Sequence, residues 1–190
     1  MKQKLALFLI TSTFFSVLIA LGGGASAPFS GFSSVIKASI LYGVLCGILF
    51  TFIVLFYQWY YLRNMGLNKN GISVVNSIEF EAEGDKEEIF TICLESINCL
   101  KKCQIGQLNK GKGIFSVNIG INWRTWGDII HFDIKGINEN KCIVEVTSRP
   151  KMETTLIDFG KNLENIIKIT NYLKSKTKIK VVQNGSNIIL

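Results

Sequence analysis

Residues 38–62, ASILYGVLCGILFTFIVLFYQWYYL, run for 25 positions without a charge between Lys37 and Arg63. About 20 apolar residues make a helix long enough to cross the hydrocarbon core of a bilayer. Helix is the state expected there, because an isolated run must satisfy its own backbone hydrogen bonds. Tyr57, Trp59, Tyr60 and Tyr61 precede Arg63, as expected where rings lie among headgroups and a cation anchors beyond them.

A second run, Leu5–Leu21, has 17 uncharged residues. It reaches spanning length if the glycines that follow extend it, which places membrane helices near 5–24 and 38–62 within a membrane region 1–68. Residues 22–36 read as the turn between them. The same run also fits a signal peptide: Lys2 and Lys4 form a basic start, and Ala25-Ser26-Ala27 resembles a cleavage site followed by Pro28. A retained helix gives a multi-pass protein with two spans, and cleavage leaves one. Both leave the C-terminal domain on the cytoplasmic side. Arg63 and Lys69 agree with that side, whereas Lys37, read as part of the short loop, argues against it.

Charge marks the boundary independently. All 14 acidic residues lie at or beyond Glu79. Four of the 21 basic residues precede Lys69, so the formal +7 divides into +4 before that point and 17 minus 14, or +3, after it. The basic balance is therefore poor support for nucleic-acid binding. Trp123-Arg124-Thr125-Trp126 offers rings beside a cation for stacking. The acidic stripe Glu79, Glu81, Glu83, Glu87 and Glu88 repels phosphate, so these tryptophans are read as packing a sheet edge or the membrane-proximal surface.

Residues 69–190 read as a soluble α+β domain. Ile72, Val74, Ile78 and Phe80 alternate as in a strand. Asp85 and Glu88 form a capping box before the stripe Ile89, Phe90, Cys93, Leu94, Ile97 and Leu100. Strands are predicted at 102–108, 114–123, 128–135 and 141–148, the first two joined by Asn109-Lys110-Gly111-Lys112-Gly113 in an antiparallel meander. A last helix is expected from Phe159 to Leu173, with Glu164 and Lys168 as an i,i+4 pair. The order β-α-β-β-β-β-α makes a two-layer domain: an antiparallel sheet of four or five strands covered on one face by two helices. Lys174, Lys176, Lys178 and Lys180 would share one side of an extended tail, to protect a sheet edge or to face anionic lipid.

Recurrent catalytic motifs are absent: the chain has no HExxH, GxSxG, Walker loop or dinucleotide fingerprint. NKGKGIF lacks the hydroxyl of a phosphate loop and leads into an alternating segment, so it reads as a hairpin turn. Asp128 and Asp133 are five apart in a strand and face opposite ways. The spacing of Cys93, Cys99, Cys103 and Cys142 lacks the close pairs of structural zinc sites, and His131 lies in an alternating segment. Neither a metal nor a cofactor is called for. Transport is disfavoured because, Cys46 apart, no ionisable group lies inside the spans and the tyrosines gather near one end.

The most informative polar group is TSRPKMETTLIDFGKNLENI, residues 147–166. Ser148 and Arg149 finish a strand that Pro150 stops. Asp158 is placed to cap the last helix, Gly160 to allow close backbone approach, and Asn162 to share the Asp158 face. With Arg149 returning to Asp158, this is a strand-to-helix latch. The alternative is an anion site of Arg149, Lys161 and the helix N-terminus, which would suit a small-molecule-binding enzyme. Ser148-Arg149, then Asp158-Phe159-Gly160-Lys161-Asn162 and Asn165-Ile166, resembles the Ser-Arg…Asp-x-Gly-x-Asn…Ile signature of an uncharacterised bacterial domain-of-unknown-function family. The interval between Arg149 and Asp158 is longer here, with Met152–Ile157 as extra loop. Over residues 75–173 the resemblance implies a compact domain, attached in some members to membrane segments, with no established reaction.

The expectation is thus a noncatalytic protein of the bacterial inner membrane, whose cytosol-facing domain makes a protein or lipid contact. Its partners are the bilayer, anionic lipid, and a protein or second copy. Ser39, Gly43, Gly47 and Thr51 recur every four residues in the second span, a small-residue stripe suited to close approach by the first span or by another copy.

Overall fold

A computed structural model of the chain describes residues 2–26, 32–64 and 73–184. It divides into two compact units, Met1–Asn64 and Met65–Leu190. The 27–31 segment of the expected interhelical turn and Ile72 of the expected first strand lie outside the described residues.

The first unit is two helices, α1 (Lys2–Ser26) and α2 (Phe32–Asn64). Windows in both are apolar and long enough to cross a membrane. The α2 helix starts earlier than expected, so Lys37 lies within it and not in a loop. Large side chains such as Leu9, Phe14, Leu49 and Phe52 point outward, whereas Ser12 and Ser39 are buried. That inversion arises because small residues let the two backbones meet. A Cβ on Gly43 would fall on the Ser16 hydroxyl and 2.6 Å from its Cα, and one on Gly47 would stand 2.8 Å from the Ser12 Cα. The Thr11 and Thr51 hydroxyls meet at 3.4 Å. The stripe Ser39, Gly43, Gly47 and Thr51 therefore includes the residues that seat α1 antiparallel on α2.

The second unit is a six-stranded antiparallel sheet with two helices. Its elements are β1 (Asn76–Glu83), α3 (Lys86–Ser96) followed by a 3-10 turn (Ile97–Cys99), β2 (Cys103–Asn109), β3 (Ile114–Ile119), β4 (Asp128–Asn138), β5 (Lys141–Pro150), α4 (Lys161–Lys176) and β6 (Ile179–Asn184). The spatial order is β2-β3-β4-β5-β1-β6. The expected meander is present as β2 to β5, and β1 closes beside β5 with Asn76 opposite Ser148.

The sixth strand corrects the expected count. Ile179, Val181 and Val182 have the branched side chains that favour pairing, and the tail lies along β1 with Ala82 opposite Ile179. Lys174 and Lys176 belong to the end of α4, so the four lysines do not form one extended stripe. Of the pair left near β6, Lys178 is 3.7 Å from Glu83.

Alternation puts Phe80, Phe115, Phe132, Ile130, Val144 and Val146 on one sheet face, and helical periodicity brings Ile89, Phe90, Cys93, Ile166, Ile169 and Leu173 against it. Phe115 stacks on Phe132 at 4.3 Å and meets Phe90 edge-on at 5.3 Å. Asp85 caps α3 through the Glu88 N–H at 2.8 Å. The β2–β3 turn closes as expected, with Asn109 Oδ1 accepting from Lys112 N–H at 3.0 Å. Gly113 has φ +77° there, and a Cβ on it would strike the Ile134 carbonyl oxygen.

Candidate functional site

At one end of the sheet the inward positions stop being apolar. Asp128 begins β4, Ser148 is the inward residue of β5 before the final Pro150, and Asn76 begins β1; Asp128, Ser148 and Asn76 are buried. The first two turns of α4 cover them with Asn162 and Asn165, also buried. Burying polar groups is tolerated when they satisfy one another; Asp128 and Ser148 bond around Asn162, whereas Asn76 Nδ2 donates to the Ser73 carbonyl at 2.8 Å. The Asn162 Nδ2 donates to Asp158 Oδ2 at 3.0 Å and, at 3.4 Å, to Asp128 Oδ1. Its Oδ1 accepts from the Ser148 hydroxyl at 2.7 Å. The Ser148 oxygen accepts from Asn165 Nδ2 at 3.2 Å, and Asn165 Oδ1 accepts from Lys161 Nζ at 2.7 Å.

Asp158 does the capping from three residues before Lys161, the first residue of α4. Its Oδ1 accepts from Gly160 N–H at 3.0 Å and its Oδ2 from Asn162 N–H at 2.9 Å. This geometry needs a sharp reversal: Phe159 has φ +48° and Gly160 φ +71°, a region that glycine adopts readily and a ring-bearing residue adopts only when held there. The helix consequently begins at Lys161 and not at Phe159, whose ring turns out to meet Trp123 at 5.8 Å.

Arg149 is not part of this network. Neighbouring strand residues face opposite ways, so with Ser148 buried Arg149 is exposed on the other side of the sheet. The expected Arg149–Asp158 latch and the anion site built on Arg149 are corrected accordingly. The cation found there is Arg124, whose largely buried guanidinium meets Glu164 at 2.5 Å. Glu164 also accepts from Lys168 at 2.6 Å and lies 3.9 Å from Lys161. The i,i+4 pair is thus present, inside a larger charge cluster.

The electrostatics follow from burial and these contacts. Burial pushes the Asp158 carboxyl above its ordinary range, while hydrogen bonds from Asn162 and Gly160 pull it back. Burial raises Asp128 as well; Thr125 and Lys161 oppose the rise and the Asp158 charge adds to it. Asp128 Oδ2 is buried without a hydrogen-bond partner among the described residues. Burial lowers Lys161, with Glu164 opposing. Burial also disfavours the charged form of Glu164, but Lys168, Arg124 and Lys161 together bring it down to about 2.

Of the six residues picked from the sequence, Ser148, Asp158, Gly160, Lys161 and Asn162 come together and Arg149 does not. Asp128, Asn165, Arg124 and Glu164 complete the cluster. Asp128 shares strand parity with Ile130 and Phe132, and Asn165 precedes Ile166 on the buried face of α4; both signals lie in the periodicity. Arg124 and Glu164 are 40 residues apart and carry no local signature of their pairing.

This arrangement can hold α4 in one position on the sheet. Apart from Asp128 Oδ2, its buried carboxylate, amide and hydroxyl groups bond to one another. The concavity of about 720 Å³ lined by Glu83, Gly84 and residues 138–141 lies at the opposite end of the strands. His131 is exposed on the outer sheet face, Cys93 and Cys142 are buried, and Cys46 is exposed on α2. Burial pushes the Cys93 thiol up to about 12, with Cys142 adding to the rise, so it is held protonated.

No family model matches the chain, and no curated protein does. Among solved structures, norcoclaurine synthase from Thalictrum flavum, in complex with dopamine and hydroxybenzaldehyde, is 9% identical with a TM-score of 0.37, over 53% of this chain and 84% of that one. Ara h 8.0201 is 13% identical with a TM-score of 0.32, over 54% and 99%. The conserved protein EF2215 from Enterococcus faecalis is 16% identical with a TM-score of 0.35, over 62% and 80%. Likenesses at this level assign neither a family nor a function.

Proposed function

We propose that this is a membrane-anchored, noncatalytic protein whose α+β domain faces the cytosol and acts through contact with a protein or with lipid. The observation that carries this reading is the strand-to-helix junction. Asp128, Ser148, Asp158, Asn162 and Asn165 are all fully buried and bonded among themselves. Groups engaged in this way are spent on positioning a helix, which supports a structural role for them over a catalytic one. The apolar helices α1 and α2 supply the anchor, and residues that favour lipid cover their outward faces. The resemblance to a domain of unknown function is compatible with this reading and adds no ligand.

In-membrane crosslinking of the full-length protein, combined with labelling of engineered cysteines on β2 and at the start of α2 by an impermeant maleimide, tests topology and partner class together. The expected result is a β2 cysteine protected in sealed right-side-out vesicles and labelled after permeabilisation, with a reproducible crosslinked partner or lipid adduct. Labelling before permeabilisation would reverse the topology. Turnover of a small molecule that Asn162→Leu abolishes without unfolding the domain would overturn the noncatalytic reading.

A further inference from the structure

The sheet end that receives the chain from α2 is also the end that carries the domain's tryptophans. Register aligns Cys103, Ile119, Asp128 and Pro150 across β2 to β5, with Asn76 opposite Ser148 on the same side. Four segments therefore emerge together: residues 73–75, Lys101–Lys102, 120–127 and 151–160. Two backbone bonds tie them, Gly120 N–H to the Lys102 carbonyl and Lys151 N–H to the Gly127 carbonyl, both at 2.9 Å.

The 120–127 loop is built to sort its side chains. Asn122 Oδ1 accepts from the N–H groups of Arg124 and Thr125 at 2.9 and 3.2 Å, and Asn122 Nδ2 donates to the Thr125 hydroxyl at 2.9 Å. Gly127 turns the chain with φ +98°. Arg124 and Thr125 are thereby directed inward, and Trp123 and Trp126 remain 63% and 66% exposed, beside Ile121 at 61%. Trp123 meets the Phe159 ring at 5.8 Å and the Arg124 guanidinium at 5.7 Å and keeps that exposure; water is a poor environment for two indoles and an isoleucine.

Two observations say what covers this tip. The first is the tether: residues 65–75 alone separate α2 from β1, a reach of no more than about 40 Å even when extended. The second is charge. Lys101, Lys102, Arg149 and Lys151 are exposed at this end, against Glu153 as the exposed acid of the same segments. Indole rings with flanking cations suit the layer between acyl chains and anionic headgroups, where an apolar body and an N–H donor are both satisfied. Trp59, the third tryptophan of the chain, lies in the last turns of α2, in the aromatic belt expected at that layer. The opposite end of the sheet is closed by Gly84, Asp85, Asn138, Glu139 and Asn140 and carries no tryptophan.

We infer that Trp123 and Trp126, flanked by Lys101, Lys102 and Lys151, form a docking tip that enters the headgroup layer of the bilayer that α2 leaves. The inference rests on the membrane-anchor reading and names lipid as the contact. The test uses full-length protein in phosphatidylcholine vesicles, with and without phosphatidylglycerol. The variant Trp59→Phe leaves the tip as the emitter, and Trp123→Phe/Trp126→Phe leaves Trp59. Lipids brominated on the acyl chain should quench both, with the tip losing at least half as much emission as Trp59, more with phosphatidylglycerol, and being shielded from acrylamide. Quenching of Trp59 with no quenching at the tip sinks the inference and leaves the anchor reading standing. Loss of both removes the anchor reading and this inference with it. A tip shielded from acrylamide but untouched by brominated lipid is covered by protein, which also overturns the inference. Equal quenching with and without phosphatidylglycerol removes the role given to the lysines.

Discussion

Two halves of one core differ in what they bury. Toward its C-terminal end, α4 presents Ile166, Ile169 and Leu173 to Phe80, Phe132 and Val144; in its first turns it presents Asn162 and Asn165 to Ser148 and Asp128. The strands change at the same level: β4 runs inward from Asp128 to Ile130, Phe132 and Ile134, and β5 reaches Ser148 after Val144 and Val146. Apolar contact is nondirectional and accepts several placements of a helix on a sheet. A buried hydrogen-bond network accepts few, because a shift of one residue leaves donors and acceptors unmatched. The apolar half supplies most of the burial energy, and the polar half sets where α4 sits.

This contrast can be broken by substitution, followed by urea unfolding of the full-length protein in micelles. In the apolar half Phe132→Ala should cost the most, about 4 kcal/mol, through lost burial and a residual cavity. In the polar half Asn162→Leu keeps the volume and removes the hub; it should cost about 3 kcal/mol by stranding Ser148 and two carboxylates. A cost below about 1 kcal/mol would show that the network is dispensable. Asp158→Ala should cost about 1–2 kcal/mol as a lost cap. At the small end Arg149→Ala should stay within about 0.5 kcal/mol, as for an exposed side chain; a larger loss would restore the Arg149 latch.

Acid–base behaviour sharpens the same comparison. Glu164 is brought down from 4.5 to about 2, so its contribution is present above 4.5 and is lost as pH falls through about 2. Asp128 and Asp158 lie above their ordinary 3.8. Their contribution is complete below 3.8 and is lost as pH rises through the raised values. Glu164→Gln should therefore flatten the acid limb of the stability profile between 4.5 and about 2, and Asp128→Asn should flatten the decline above 3.8. Profiles unchanged by both would mean that these carboxyls titrate as they do in the unfolded chain.

Much of the fold was legible because its causes are local. Uncharged length marked α1 and α2, the period of two marked β1, β3, β4 and β5, and Asp85 announced α3. The sixth strand was harder to see, since KIKVV reads equally as a solvated tail until the open edge of β1 accepts it. In the site, Asp158, Gly160 and Asn162 lie within five residues and showed themselves as a cap. Arg149 is close to Asp158 in sequence but not in space, because strand parity sends it and Ser148 to opposite faces. Asp128 and Asn165 occupy core positions of the periodicity, but a polar residue at a core position announces its burial only once a partner is known.

By itself the sequence determined the elements whose signals are periodic: two apolar helices, a strand meander, two amphipathic helices and a cap. Tertiary structure alone decided which cation meets which carboxylate, which residues of α1 the small-residue stripe of α2 receives, and that Trp123 and Trp126 emerge at the same sheet end as Lys101, Lys102 and Lys151. Those outcomes depend on contacts between residues tens of positions apart. Local propensity is blind to them, and they are settled only when the burial of every polar group has to be satisfied at once.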